Sequence, residues 1–471
     1  MHTRPQHPSV NTALSTKGFR SVVVLSRVFL LMVAAAAMAC GRGAPAESRV
    51  MADTALAAPL KSAAEIRDLD IAWFSQRAER DPSGALDLAR LGALYLARGR
   101  ETGDPRDAEL AEQAARRSLR NRASHNDAAS FVLQSSLLSQ HRFAEALRLA
   151  VAARDAEPEN QTLRAAVGEI QMELGQYDSA RVSFTGLRVT LGDLAVAPRR
   201  ARWAEIQGQP EQARMFLKAA LATAQRQSAL PAEQLAWYWL RVGDVELRTG
   251  RPVAADSAYR AGLAVHPSDY RLLSALAHSA LVQQRWRDAI TYGEQAIGVT
   301  LDPATLGVLS DAATALGDTV KAAEYARVLD VVVLQQPGAY HRAWSLFLLD
   351  HDRHVAVVSR KIREELRTRR DVYAYDLLAW SLHKQGRHRE AATAMAQALR
   401  EGTQDAQLFY HAGEIERALG HDDAARTHLA RALAVNPFFH ATQPARARAA
   451  LATLKKTAPV TVAAVVGVTT P

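Results

Sequence analysis

Large apolar side chains recur along the chain at a spacing close to 34 residues, and each is followed by a residue that is mostly small. The apolar series is Leu91, Leu133, Val167, Val242, Leu276, Leu309, Trp344 and Leu378. The aligned series is Gly92, Gln134, Gly168, Ala201, Gly243, Ala277, Ser310, Ser345, Ala379 and Gly413, with separations of 42, 34, 33, 42, 34, 33, 35, 34 and 34. This period predicts repeated helix-turn-helix units, with two-turn insertions near Glu101–Pro105 and Arg226–Gln234.

Two further series fix the register within each unit. Seven residues after the aligned position stand Gly99, Gly175, Gly208, Gly250, Gly317, Gly386 and Gly420, as expected where a helix ends in a left-handed turn. Five residues later stand Ala146, Ala180, Ala213, Ala255, Ala289, Ala322, Ala391 and Ala425, with Val357 as the exception. Close contact between two helices leaves room for little more than a methyl group. Pro158, Pro267 and Pro437 are predicted to end second helices.

Together these features resemble tetratricopeptide repeats over about 375 of 471 residues. The resemblance implies an all-α, right-handed superhelix, an α-solenoid of about ten repeats, over residues 66–456. Pro444–Lys456 is predicted to form a C-terminal cap helix, because a solenoid must cover its last apolar face. The eighth unit departs from the pattern: Asp352 replaces the turn glycine, and Lys361 and Glu364 occupy positions that are normally apolar or small. We expect a local kink there.

The N-terminus is typical of an export signal. Lys17, Arg20 and Arg27 precede the apolar run 28–39, which is short for a membrane span and ends at Cys40. The segment resembles a bacterial lipoprotein signal, which implies cleavage after residue 39 and lipidation of Cys40. The absence of Asp after this cysteine implies the outer membrane. Ala37-Met38-Ala39 also fits simple secretion, which would release a soluble protein.

Residues 40–65 are predicted to be a flexible tether, and residues 457–471 a disordered tail. The formal charge of +9 falls to +5 without the first forty residues, which carry four basic side chains and no acid. The arginines are interleaved with acids along the chain, which argues against nucleic-acid binding. The chain has no Gly-rich phosphate loop, no H-E-x-x-H and no nucleophile elbow, so we predict no catalysis, no cofactor and no small-molecule substrate.

One histidine pair offers an alternative. His351 and His354, beside Asp350 and Asp352, share the spacing of one helix face and could bind a metal. A polar turn at the point where the repeat lacks its glycine is the simpler explanation, since no third ligand can be named. A metal-dependent envelope enzyme using this region is therefore a rival hypothesis. A second rival is a structural protein whose repeats stack between chains.

The resemblance also implies a groove lined by the first helices of the repeats. On that face the ninth and tenth units place a set of aromatic and charged side chains: Tyr373, Asp376, Trp380, His383, Tyr410, Glu414 and Arg417. Toward the N-terminus the same face carries Glu169, Arg202, Asp244, Arg271, His278, Asp311 and Arg342. Aromatic anchors among charges are typical of protein-binding surfaces, so these side chains are expected to be accessible. The leading hypothesis is a protein-interaction scaffold, tethered to the envelope, that binds peptide or protein partners in this groove.

Overall fold

The computed structural model describes residues 61–335 and 342–454, and every regular element within these ranges is an α-helix. The helices are α1 (Ala63–Arg80), α2 (Ala85–Thr102), α3 (Arg106–Asn121), α4 (Asp127–Ser139), α5 (Phe143–Ala156), α6 (Gln161–Glu173), α7 (Tyr177–Phe184), α8 (Ala197–Ile206), α9 (Pro210–Gln225), α10 (Ala232–Arg248), α11 (Pro252–Val265), α12 (Tyr270–Val282), α13 (Trp286–Ile297), α14 (Pro303–Ala315), α15 (Thr319–Gln335), α16 (Arg342–Asp350), α17 (Val355–Glu365), α18 (Val372–Lys384), α19 (His388–Ala398), α20 (Ala406–Ala418), α21 (Asp422–Val435) and α22 (Gln443–Thr453). The predicted signal 1–39, Cys40 and the tail 457–471 lie outside the described residues. No helix in the described ranges has the length and apolar character needed to cross a membrane.

Helices α2–α21 form ten successive pairs, which we number repeats 1 to 10, and α1 and α22 are single helices at the two ends. The all-helical solenoid predicted from the period is confirmed. α1 begins at Ala63, three residues before the expected start, and α22 lies over the predicted cap.

Short polar side chains begin many of the first helices. Asn160, Asp269, Asp302, Asp371 and Asp405 each accept a hydrogen bond from a backbone amide in the first turn of the helix that follows. Such a cap satisfies an amide that has no partner inside the helix. These residues set the start of the first helices of repeats 3, 6, 7, 9 and 10.

The turn between the two helices of a repeat has the predicted left-handed backbone. Residues at the predicted glycine position have positive φ in repeats 2 to 10, including His141, Gln284 and Asp352 where glycine is absent. Repeat 1 is different, because α2 continues past Gly99 and reaches its left-handed cap at Gly103. The first predicted insertion therefore lengthens a helix before the turn.

The predicted helix-contact alanines are buried in all eight repeats that carry them. Ala255, for example, has no exposed surface, and a Cβ added to the aligned Gly243 would lie 2.2 Å from the ring of Tyr259. Paired helices are therefore close enough that larger side chains would have to displace their neighbours.

Repeat 8 departs from the others at its turn. Both Asp352 and His354 have positive φ, and α17 starts one residue later in the register than the matching helix of repeat 9. The extra residue turns Val358 rather than Val357 into the core, and it explains why Lys361 is displaced from an apolar position. Repeat 3 is also irregular, because α7 stops at Phe184 and residues 185–196 form a loop in place of further helix, which the spacing did not predict.

Turns of early repeats contact loops of late repeats. The turns of repeats 3, 4 and 5 accept hydrogen bonds from the loops that follow repeats 8, 9 and 10: Arg370 N–H to Leu174 O (3.1 Å), Thr403 Oγ1 to Ile206 O (2.7 Å) and Asn436 Nδ2 to Leu247 O (3.0 Å). The turn of repeat 1 likewise approaches Thr300, which follows repeat 6. Each of these turns therefore meets the loop that follows the repeat five positions later.

Candidate functional site

The first helices of distant repeats meet across a common surface, which we call the inner face. Tyr373 of repeat 9 lies between the guanidinium groups of Arg202 from repeat 4 and Arg342 from repeat 8, at 5.0 and 4.5 Å from its ring centroid. Such cation–π contacts stabilise most where they are shielded from water. At this point the inner face is closed by contacts within the chain.

Trp380 is buried, with 5% of its surface exposed. Its indole stacks on the imidazoles of His411 and His383, at centroid distances of 4.2 and 4.9 Å, and its Nε1–H donates to Asp350 Oδ1 (2.8 Å). The expectation that Trp380 is accessible was wrong. It belongs to the core, because His383 of its own helix and His411 of repeat 10 stack on the ring, and Asp350 of repeat 8 accepts the hydrogen bond from its N–H.

Asp376 and His411 form a fully buried pair, with 2.7 Å between Oδ1 and Nδ1, and Arg342 approaches the other carboxylate oxygen. Burial by itself would raise the pKa of Asp376, but His411 and Arg342 outweigh it and hold that pKa below its ordinary value. Asp376 is therefore a charged component of the core, and no part of it is accessible to a partner.

The remaining predicted groove residues differ in exposure. Tyr410 is buried against Trp380 and Phe439, and Glu414 is nearly buried and accepts a hydrogen bond from Arg417 (2.7 Å). Arg417 is half exposed. His383 is partly covered, and burial together with nearby His388 lowers its pKa to about 4.

His351 and His354 do not converge. His351 Nε2 lies 2.8 Å from Asp311 Oδ1, which raises the pKa of His351, whereas His354 faces Asp330, which also pairs with Arg353. Within residues 61–335 and 342–454, no three histidine, cysteine or acidic side chains are grouped so as to hold a metal.

Toward the N-terminus, several predicted groove residues form ion pairs. Glu169 pairs with Arg199, and Arg271 with Glu233, so first helices of adjacent repeats are joined, repeat 3 with 4 and repeat 5 with 6. Arg202 pairs with Glu205 within its own helix, and Arg271 also binds Asp269, the N-cap of its helix.

An open cavity remains on the inner face, its larger lobe lined mainly by repeats 6, 7 and 8 and its smaller lobe mainly by repeats 5, 6 and 10. It has two adjoining lobes of about 370 and 270 Å³, which share His278, Arg342, Gln407 and Phe439. The floor of the larger lobe is apolar and its rim polar: Leu281, Val308, Leu346 and Phe347 line the floor, and Ser274, Thr305, Asp311, His351 and His440 the rim. An apolar cavity with a few polar groups is the usual form of a ligand site.

His278 stands where the two lobes join. Its side chain is exposed to the cavity, and no described group lies within hydrogen-bond distance of its imidazole. Desolvation of the ring within the cavity, and secondarily the neighbouring His440, lower the pKa of His278 to about 4, so the ring is neutral at neutral pH. A neutral imidazole can donate one hydrogen bond and accept another, and both capacities are available to a ligand.

Acidic side chains outnumber basic ones around the cavity. Five carboxylates and two guanidinium groups line the lobes: Asp244, Asp302, Asp311, Asp350 and Asp405, with Arg248 and Arg342. Asp350 is held by neutral donors, the indole of Trp380 and the amide of Gln443 (3.1 Å). Asp244, Asp311 and Asp405 are paired with Arg241, His351 and Arg342. The acidic character of the lining therefore comes from Asp302 and Asp350, which have no guanidinium partner among the described residues.

The sequence identified part of this site. His278, Asp311 and Arg342 were on the predicted inner face and do line the cavity. Phe347 and Phe439 were missed: Phe347 lies within an apolar run, and Phe439 follows Pro437 in what the pattern treats as a connection. The aromatic pair Phe438-Phe439 beside that proline was the available signal.

Comparison with known proteins supports the repeat assignment. Residues 137–187 match the tetratricopeptide repeat family model. A tetratricopeptide repeat protein from Parabacteroides merdae is 15% identical, with 54% of this chain and 96% of that chain covered and a TM-score of 0.32. The Cut9–Hcn1 hetero-tetramer of APC/C is 13% identical, with 82% and 94% covered and a TM-score of 0.32. No curated protein matches the chain. The family match thus covers residues 137–187, and the succession of helix pairs along the described residues is that of an α-solenoid.

Proposed function

We propose that the protein is an interaction scaffold that holds a peptide segment of a partner protein in the cavity between repeats 6 and 8. The observation that carries the proposal is the two-lobed cavity with the unpaired imidazole of His278 at its centre. Tetratricopeptide repeats are in general non-catalytic protein-binding modules, and binding without chemistry is the role proposed here.

The lining favours one kind of peptide. The apolar floor of Leu346 and Phe347 offers burial to a methylene chain or an aromatic ring, worth about 25 cal/mol per Å² of apolar surface. The excess of carboxylates favours a basic or neutral side chain over an acidic one. Lysine and arginine combine an apolar stem with a cationic end, so a segment rich in these residues fits both properties.

Site-specific photo-cross-linking tests the proposal. A photoreactive residue at Val308, in the cavity, should form an adduct with a partner polypeptide in native envelope preparations. The same residue at Val253, which is 77% exposed on α11, serves as the matched control. Adducts at Val253 and none at Val308 would move the partner surface to the outside of the solenoid.

A filled cavity gives the complementary test. Val308→Trp should occupy the larger lobe, preserve helicity and abolish capture of the partner identified by cross-linking. Normal capture by a folded Val308→Trp variant contradicts the proposed site.

Location is proposed on separate grounds. The N-terminal sequence supports an envelope lipoprotein anchored through Cys40, facing the periplasm. Cys40→Ser should then move the protein from membranes to a soluble fraction. A wild-type protein that is soluble, with no acyl mass at its mature N-terminus, supports simple secretion instead.

A further inference from the structure

Within residues 61–335 and 342–454, the solenoid has a single helix at each end. α1 packs on α2 through Ile71 and Ala78, while Ile66, Leu69 and Trp73 on its other face are each about half exposed. At the other end α22 packs inward through Ala447 and has no second helix after it in the described residues. Among the described helices, α1 is therefore a second-type helix without a first, and α22 is a first-type helix without a second.

The two end faces are complementary. Exposed positions of α22 carry Ala445, Ala449 and Ala452 with the cation Arg448, and small residues are what a closely paired helix requires. The exposed stripe of α1 is apolar, with Asp68 paired to Arg67 on one side and the guanidinium of Arg77 over the ring of Trp73 (4.7 Å). The match between the two faces is therefore one of shape, a stripe of large apolar side chains against a face of small ones.

The turns provide a second, independent observation. A Cβ on Gly175 would lie 2.2 Å from the carbonyl oxygen of Arg370, yet at Gly317, Gly386 and Gly420 the same position meets no atom of the described residues within 4 Å. These turns have the same left-handed backbone as the turns that are covered. The turns of repeats 7, 9 and 10 therefore present a docking edge that repeats 3 to 5 use within the chain.

Two leucines show how much the covered and uncovered turns differ in exposure. Leu174 and Leu316 each precede the turn glycine of their repeat, and both turns close with the same backbone hydrogen bonds. Leu174 is 5% exposed because the loop at Arg370 covers it, whereas Leu316 is 45% exposed. No described group donates a hydrogen bond to the carbonyl of Leu316, the equivalent of the acceptor at Leu174.

We propose that a second copy of this chain docks head to tail, with α22 of one copy and α1 of the next completing an eleventh helix pair. The contacts between turns and loops then continue from one copy into the next. Within one chain a turn contacts the loop that follows the repeat five positions later, and the same spacing applies when repeats are counted across the junction. The turn at Gly317 would meet residues 122–126 of the next copy, and the turn at Gly420 would meet residues 226–231. The junction is heterologous, so assembly extends by addition of copies and does not stop at a dimer.

Disulfide trapping tests the geometry. In the full chain carrying Cys40→Ser, which removes the single native cysteine, Leu316→Cys and Ser124→Cys should give a ladder of linked multimers on mild oxidation. Mixing copies that each carry one of the two substitutions should give dimers alone. Val253→Cys with Ser124→Cys is the control and should not link. Equal linkage in both pairs, or none in the test pair, overturns the proposal.

Sedimentation velocity tests the end faces. The Cys40→Ser chain should associate with rising concentration, and Trp73→Glu should weaken association by about tenfold or more at unchanged helicity. A chain that stays monomeric throughout overturns the proposal. If association appears only after deletion of residues 41–60, that segment covers α1 and the proposal fails for the whole chain.

Discussion

The inner face differs between repeats 6 and 7 and repeat 9, although the residue after the aligned position lies on it in each. In repeat 9 that residue is Trp380, which is packed beside the buried Asp376–His411 pair. In repeats 6 and 7 it is His278 and Asp311, which line the open cavity. A shared register therefore does not determine a shared role. Whether an inner-face residue contacts a ligand or the core depends on what lies opposite.

The largest effect should come from Trp380→Ala. Removing a buried indole leaves a void between His383 and His411 and should lower the free energy of unfolding by about 3–5 kcal/mol. Urea unfolding followed by circular dichroism measures it. Val308→Ala, on the cavity wall, is the matched control and should cost about 1 kcal/mol or less. If both substitutions lowered the free energy of unfolding equally, the contrast between a packed and an open region of the inner face would be wrong.

Asp376→Asn should have the next largest effect. The change removes the buried carboxylate that pairs with Arg342 and binds His411 Nδ1, and we expect a loss of about 3 kcal/mol. Asp302→Asn at the cavity rim should change little, since asparagine caps the start of α14 equally well. The same urea experiment compares them, and a stable Asp376→Asn protein would mean that the pair contributes little.

The free energy of unfolding should depend on pH through one histidine in each of the two regions. The folded-state pKa of both His278 and His383 is about 4, below the ordinary 6.5. The unfolded chain binds protons first, so the free energy of unfolding should fall as pH drops from about 6.5 to about 4. His383→Gln should make that decline less steep. NMR titration of the imidazoles checks the assignment, which fails if either ring titrates near 6.5.

The smallest effect should come from His278→Gln at pH 7. The ring is neutral and has no partner among the described groups, so the stability change should be within about 0.5 kcal/mol. Partner capture should nevertheless fall, which separates binding from folding. A strongly destabilised His278→Gln protein would place this residue with Trp380, in the core.

Local features of this fold were predictable from sequence, and contacts between distant repeats were not. The left-handed turns follow from one residue's backbone preference, and they form even at His141 and Gln284. The contact alanines follow from the packing of adjacent helices. The exposure of Trp380 was predicted wrongly because its burial depends on Asp350 of repeat 8 and His411 of repeat 10. The periodicity within one repeat gives no information on which residues of other repeats cover a side chain. Arg202 and Tyr373 lie five repeats apart, and no spacing rule brings them together.

The turn-to-loop contacts have a consequence for how the chain can vary in length. In a solenoid held by nearest-neighbour contacts, one repeat can be gained or lost without disturbing the others. Here the turn at Gly175 contacts the loop at Arg370, five repeats later, and the turn at Gly208 contacts the loop at Gly402 in the same way. Loss of one helix pair between them would bring a different loop to each turn and break every such match at once. The number of repeats in this interval is therefore fixed by the structure, in the way that the number of strands is fixed in a closed barrel.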